Sequence, residues 1–141
     1  MTPNDGISLN QELELARVLL VDDDLAARLT LQALLQAGGY FVDAAGSAEE
    51  AVGKLDEQQY ELVLSDLQME SPESGLEVLA HARLMDYKPA TALVTTYQNR
   101  RPSGRKPFLI EPEDLPGLLT KVAELISQRA ARMVHQQMRT S

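Results

Sequence analysis

The sequence RVLLVDDD, residues 17–24, carries four consecutive apolar side chains directly into three aspartates. A continuous apolar run, without polar alternation, is typical of a strand that is buried on both faces of a parallel sheet. The stretch therefore predicts a central parallel strand whose C-terminal end carries carboxylates.

After this strand, the sequence predicts helices and short apolar strands in alternation. Residues 24–39 have apolar positions at helical spacing, and Asp24 is placed to cap the helix that they predict. YFVDAA then predicts a second strand. Ser47, followed three residues later by Glu50, is a capping box, which predicts a second helix. YELVLSD, residues 60–66, predicts a third strand that again ends in aspartate.

The second half continues the alternation as far as a fourth strand. GLEVLAHARLMDY, residues 75–87, predicts a helix, and ATALVTT, residues 90–96, predicts a strand. A long amphipathic helix is expected over residues 111–138. The apolar positions expected on one side of the third helix are Leu76, Leu79, Ala80 and Leu84.

This order of elements predicts an α/β fold with a doubly wound parallel sheet and helices on both faces. A flavodoxin-like strand order, 2-1-3-4-5, fits the length of the chain. We expect a flexible tail at residues 1–15, one domain at 16–128, and a helix extension or tail at 129–141.

Composition excludes several classes of function. The net charge of −8 argues against nucleic acid as a direct partner, and the lack of cysteine excludes disulfides and thiolate chemistry. No apolar run approaches the roughly 20 residues of a membrane span, and the N-terminus lacks the order of a signal peptide. We therefore expect a cytoplasmic protein without membrane contact.

Three aspartates are predicted to meet in one cleft. Asp22 and Asp23 follow the first strand and Asp66 follows the third, and strand order reverses between these two strands. Clustered carboxylates repel each other unless a cation joins them, and their oxygens suit Mg²⁺. A carboxylate can also act as a nucleophile and form an aspartyl-phosphate. Lys106 could pair with a phosphoryl oxygen, and Thr95 offers a hydroxyl at the same rim.

The segments VLLVDDD, LVLSDLQM, ALVTT and KPFLIEPEDL occur in this order on the predicted elements. Together they make residues 16–128 resemble a two-component response-regulator receiver domain. The resemblance implies that Asp66 accepts a phosphoryl group from a phosphohistidine, on a sensor histidine kinase or a phosphotransfer protein. It also implies that Thr95 and Lys106 contact that phosphoryl group.

The same resemblance implies a magnesium site. Its ligands would be the side chains of Asp22, Asp23 and Asp66 and the backbone carbonyl of Gln68. The domain would be a phosphoacceptor switch with slow autodephosphorylation, not an enzyme in the ordinary sense, and it would signal to a downstream protein partner.

The connection between Thr95 and Lys106 departs from the family pattern. Only ten residues, TYQNRRPSGR, lie between them, whereas a helical crossover between parallel strands takes at least about 10–12 residues before the next strand. We therefore expect the family's fourth helix to be missing or strongly shortened and the fifth strand to be a stub. Tyr97 is the candidate switch aromatic. Uncovered apolar surface would favour a homodimer through the last helix.

Two other functions compete with the phosphoacceptor. One is a phosphorylation-independent interaction module that uses the receiver fold as a scaffold. The other is a phosphatase-like hydrolase, which would need a second carboxylate two residues after the nucleophile, where Gln68 stands. The set of Asp22, Asp23, Asp66, Thr95 and Lys106 favours the phosphoacceptor.

Overall fold

A computed structural model of the chain describes residues 16–66, 69, 71, 73–94, 109–110 and 115–140. Its strands and helices alternate along the sequence as far as the fourth strand. In chain order they are β1 (Arg17–Val21), α1 (Leu25–Ala37), β2 (Phe41–Ala45), α2 (Ala48–Glu57), β3 (Leu62–Asp66), α3 (Ser74–Arg83), β4 (Ala90–Val94), β5 (Leu109–Ile110) and α4 (Leu115–Thr140).

The strands form one parallel sheet in the order β2-β1-β3-β4-β5, which confirms the predicted flavodoxin-like topology. The register aligns Val21 with Ser65 on the neighbouring strand and Asp66 with Val94 on the next. Strand order reverses between β1 and β3, so the crevice expected in such folds lies beyond their C-terminal ends.

Strand β1 contributes to two cores, one on each face of the sheet. Val18 and Leu20 pack on the face covered by α1 and α4, whereas Leu19 and Val21 pack on the face covered by α2 and α3. All four side chains are at most 1% exposed. The continuous apolar run at the start of the chain is explained by this burial on both faces.

Local side-chain bonds begin the first two helices. The Asp24 carboxylate accepts a hydrogen bond from the Ala27 backbone N–H at 3.0 Å, which confirms the predicted cap of α1. The Ser47 hydroxyl accepts from the Glu50 N–H at 3.1 Å at the start of α2. The Glu50 carboxylate accepts from the N–H of Gly46 instead of that of Ser47, so the reciprocal bond is displaced by one residue.

The predicted apolar face of α3 is wrong. Leu76 and Leu84 are 56% and 74% exposed, whereas Val78 and Ala82 are completely buried. Of the predicted set only Leu79 belongs to the core. The helix packs on the sheet through Val78, Leu79 and Ala82, whereas Leu76 and Leu84 remain in solvent.

The described part of β5 is two residues long and pairs with the end of β4, Leu93 with Leu109 and Val94 with Ile110. The connection at residues 95–108 lies outside the described residues, so the predicted loss of the family's fourth helix stays a prediction. The described part of helix α4 begins at Leu115, because residues 111–114 lie outside the described residues, and the helix buries Leu118, Val122 and Leu125 against the sheet.

Candidate functional site

The C-terminal ends of β1 and β3 bring the three predicted carboxylates together. Val21 and Ser65 are register partners, so the residues that follow them, Asp22 and Asp66, lie side by side at one edge of the sheet. One ligand oxygen from each of Asp22, Asp23 and Asp66 lies within 4.8 Å of the others. The predicted acidic cluster is therefore present in the fold.

The cluster has a buried floor and an open mouth. Asp22 is 1% exposed and Asp66 is 3% exposed, whereas Asp23 is exposed to solvent. Burial of two carboxylates costs free energy unless their charge is compensated.

The Asp22 carboxylate is buried, and its pKa is raised. Its Oδ1 accepts a hydrogen bond from the Asp24 N–H at 3.0 Å, whereas its Oδ2 is buried and has no hydrogen-bond partner among the described residues. Desolvation raises the pKa of Asp22 to about 6; the bond from Asp24 opposes this shift, and the charges of Asp23 and Asp24 add to it. A cation at this point would compensate the charge that burial disfavours.

Two residues near Asp22 were not found from the sequence. The Arg28 guanidinium donates to the backbone carbonyl of Asp22 at 2.8 Å, one turn into α1. Gly46 lies beside that guanidinium, because a Cβ atom there would be 2.9 Å from Arg28 Nη1. An arginine one turn after an N-cap gives no recognisable pattern, because its partner is a backbone atom of a residue that follows the preceding strand.

Gly75 is the third residue missed. Helix α3 approaches the end of β3 so closely that a Cβ atom on Gly75 would lie 2.6 Å from the Asp66 carbonyl oxygen and 3.3 Å from Ser65 Oγ. Only glycine lets the helix backbone come this near. The glycine therefore sets the position of α3 relative to the residue that carries the buried carboxylate.

The remaining predicted site residues lie outside the described residues. They are Gln68, Thr95, Tyr97 and Lys106. In the sequence, Thr95 directly follows Val94, the register partner of Asp66.

Within the part of the chain that the structure describes, no helix has both the length and the apolarity needed to cross a membrane.

Comparisons with known proteins agree with the fold and with the acidic cluster described above. Residues 18–105 match the family model of the response regulator receiver domain. The chain is 30% identical over 116 residues to the transcriptional regulatory protein ZraR of Klebsiella oxytoca, which covers 78% of this chain but only 26% of ZraR. The chain thus spans about a quarter of the length of this curated relative.

Solved structures match along nearly their whole length. A CheY-like receiver domain from Methanospirillum hungatei superposes with a TM-score of 0.70 at 25% identity, covering 84% of this chain and 98% of the other. The response regulator TrrA of Thermotoga maritima, solved in complex with Mg²⁺-BeF, gives a TM-score of 0.66 at 32% identity, covering 78% and 98%. The family match, the strand order and the acidic cluster at the switch point show together that this chain belongs to the response regulator receiver domain family of two-component systems.

Proposed function

We propose that this chain is a phosphoacceptor module in which Asp66 receives a phosphoryl group from a histidine kinase or a phosphotransfer protein. The main support for this proposal is that Asp22, Asp23 and Asp66 lie together, with one oxygen of each within 4.8 Å of the others. Asp66 ends the central strand β3, and its side chain lies on the floor of the cluster.

The chemical step needs a carboxylate held in place for attack in line with the leaving group. A carboxylate oxygen of Asp66 forms a bond to phosphorus while the P–N bond of the donor phosphohistidine breaks, and the electron pair leaves on the imidazole nitrogen. The β3 backbone and the close approach of Gly75 fix the position of Asp66 before the donor arrives. The phosphoryl group is released when water attacks the same phosphorus: the P–O bond to Asp66 breaks, the carboxylate is regenerated and inorganic phosphate leaves.

The donor set fits Mg²⁺. Hard carboxylate oxygens, one of them buried without a described hydrogen bond on Asp22, are the ligands that this ion takes. We propose that Asp22, Asp23 and Asp66 hold it, with the backbone carbonyl of Gln68, and that the ion offsets the negative charge of the incoming phosphoryl group. The related TrrA was solved with Mg²⁺-BeF, which supports this assignment.

Thr95 and Lys106 complete the proposal. Thr95 directly follows Val94, the partner of Asp66 in the sheet, and we propose that its hydroxyl donates to a phosphoryl oxygen. Lys106 would supply the positive charge that pairs with another phosphoryl oxygen. Tyr97 remains the candidate for the aromatic side chain that reports phosphorylation to a downstream protein.

The direct test is phosphorylation by a small-molecule donor. Wild-type protein incubated with acetyl phosphate and Mg²⁺ should gain the mass of one phosphoryl group, and Asp66→Asn should not. Asp86→Asn removes an exposed carboxylate outside the cluster and should label like wild type. Peptide mass mapping should locate the label on Asp66.

Two outcomes would overturn the assignment. Equal labelling of wild type and Asp66→Asn would place the phosphoryl group on another residue. Wild-type protein that stays unlabelled, although it binds Mg²⁺, would favour the phosphorylation-independent interaction module.

A further inference from the structure

We propose that Arg28 is a positioning residue of the metal site: its guanidinium holds the backbone at Asp22 so that Asp22 and Asp23 present their carboxylates to one cation. The inference rests on the proposed function, because it assigns a task toward the proposed Mg²⁺ ligands. Arg28 lies one turn into α1, and its Nη1 donates to the Asp22 carbonyl oxygen at 2.8 Å. The first helix is thereby joined to the turn that carries two of the three carboxylates.

Three further hydrogen bonds fix the turn that begins at Asp22. The Asp22 N–H donates to the Ala45 carbonyl at the end of β2 at 3.0 Å, and the Asp22 carboxylate accepts from the Asp24 N–H at 3.0 Å. The Asp24 carboxylate accepts from the Ala27 N–H at the start of α1. With the bond from Arg28, both backbone groups and one carboxylate oxygen of Asp22 are paired. The other carboxylate oxygen, Oδ2, has no described hydrogen bond, and it is the atom that a cation would take.

The Asp22 carbonyl is a sensitive point of this turn. It belongs to the peptide bond between Asp22 and Asp23, so the orientation of this rigid plane sets the directions of both side chains relative to each other. Asp22 is 1% exposed, so water has little access to the carbonyl, and a buried carbonyl without a donor costs free energy. Without the guanidinium, we expect the plane to turn toward another donor and the two carboxylates to turn with it.

Gly46, directly after β2, leaves the space that the guanidinium occupies. A Cβ atom at this position would be 2.9 Å from Arg28 Nη1 and 3.5 Å from Cζ, but 3.8 Å from Glu50 Oε1. The first distance is shorter than real Cβ contacts, so an alanine would displace the end of the Arg28 side chain. Gly46 is not among the described glycines with a positive φ, so its backbone accepts an alanine. Gly46 therefore offers a way to disturb the contact without touching Arg28.

The positive charge of Arg28 acts against a nearby cation. Like charges repel, so a purely electrostatic role predicts that removal of the guanidinium strengthens Mg²⁺ binding. A positioning role predicts the opposite sign, because ligands that are no longer held together bind the ion more weakly. The direction of the change in Mg²⁺ affinity therefore separates the two roles.

Titration of the full chain with Mg²⁺, followed by the backbone amide shifts in NMR, measures this affinity in the folded protein. A buffer at about pH 8 keeps the carboxylates ionised. Arg28→Met keeps a long stem but has no donor, and we expect it to weaken Mg²⁺ binding about tenfold, as loss of a bond that orients a metal ligand does. Lys121→Met removes the same charge from α4, where Lys121 pairs with Glu124, and should bind Mg²⁺ like wild type.

Gly46→Ala is the second variant, and it changes neither the charge nor the donors of the chain. We expect it to weaken Mg²⁺ binding at least about threefold. Gly53→Ala, at a glycine with open space around it, should have no effect. In the background of Arg28→Met, Gly46→Ala should change the affinity by less than about twofold, because both changes act through one contact.

A measurement without metal tests the same contact. In EDTA, solvent exchange at the amide of Asp24, which donates to the Asp22 carboxylate, should be at least about threefold faster in Arg28→Met and Gly46→Ala than in wild type. The exchange rate in Gly53→Ala and Lys121→Met should equal that of wild type. Equal rates in all five proteins would overturn the inference, because the turn would then not depend on Arg28.

The Mg²⁺ titrations can overturn the inference in three ways. Tighter binding in Arg28→Met would make the role of the residue electrostatic. Unchanged affinity in Arg28→Met and Gly46→Ala, with lower stability in urea, would make Arg28 a structural residue only. Losses that add in the double variant would show that Gly46 does not act through Arg28. If Arg28→Met does not fold, the comparison of Gly46→Ala with Gly53→Ala decides alone.

Failure of the proposed function gives a different result. Wild-type protein that does not bind Mg²⁺ would overturn the metal site and, with it, this inference. Wild-type protein that binds Mg²⁺ and is labelled on Asp66, while both variants bind Mg²⁺ equally well, would overturn only the role of Arg28.

Discussion

Gly75 lies against the backbone of Asp66: a Cβ atom on the glycine would be 2.6 Å from the Asp66 carbonyl oxygen. Helix α3 and the strand end that carries the proposed phosphoacceptor therefore share a backbone contact. Any side chain at position 75 must push the helix and the strand end apart.

Gly75→Ala is accordingly expected to lower the free energy of unfolding by about 1–3 kcal/mol, as overpacking does, and to slow phosphorylation of Asp66. Chemical denaturation and the rate of labelling by acetyl phosphate measure the two effects. Gly53→Ala is the control, because α2 has open space there. That change should stabilise the chain by about 0.5–1 kcal/mol. Equal stabilisation by both alanines would contradict the contact.

Asp22→Asn should stabilise the protein when divalent cations are removed with EDTA. The buried carboxylate of Asp22 has a pKa raised from 3.8 to about 6, chiefly by desolvation. Its ionised form therefore opposes folding at neutral pH, and the neutral amide should raise the free energy of unfolding by about 1–3 kcal/mol.

The stability gained by Asp22→Asn should depend on pH. A raised pKa in the folded state means that wild type loses stability as pH rises from 3.8 through about 6. The advantage of Asp22→Asn should appear over that range and be absent below it, as followed by urea unfolding. Added Mg²⁺ should stabilise wild type but not Asp22→Asn. A variant less stable than wild type at neutral pH in EDTA would contradict the assignment.

Asp24 is expected to cap a helix and not to bind metal. Its carboxylate accepts the Ala27 N–H at 3.0 Å, and its own N–H donates to Asp22. Asp24→Ala should cost about 0.5–2 kcal/mol of stability, and Asp24→Ser should largely restore it. Neither change should alter the Mg²⁺ affinity by more than a small factor, as measured by isothermal titration calorimetry. A loss of Mg²⁺ binding in Asp24→Ser would make Asp24 a ligand.

Arg129 should hold the C-terminal half of α4 in place. It donates to the carbonyls of Tyr87 and Lys88, whereas Arg132, one turn further on, has no described hydrogen bond or ion pair. Arg129→Ala should destabilise the protein by about 1–2 kcal/mol and should speed amide hydrogen exchange after residue 128. Arg132→Ala should leave the exchange rates unchanged. Similar exchange in both variants would show that the helix end does not depend on this contact.

The sequence by itself determined the class of fold, for reasons that are local. The unbroken apolar run from Val18 to Val21 requires burial on both faces of a sheet. Asp24 and Ser47 supply acceptors to the first turns of their helices. The alternation of strands and helices favours a doubly wound sheet in the order 2-1-3-4-5, and in that order Asp22 and Asp66 meet where the strand order reverses.

Only the tertiary structure decided what surrounds those carboxylates. Helix α3 offers two faces with apolar residues at helical spacing, and only the packing on the sheet decided that Val78 is in the core and that Leu76 and Leu84 stay in solvent. Gly75 lies on the buried face, where the helix meets the end of β3. These contacts link residues far apart in the chain, and their geometry is fixed by packing that no local pattern encodes.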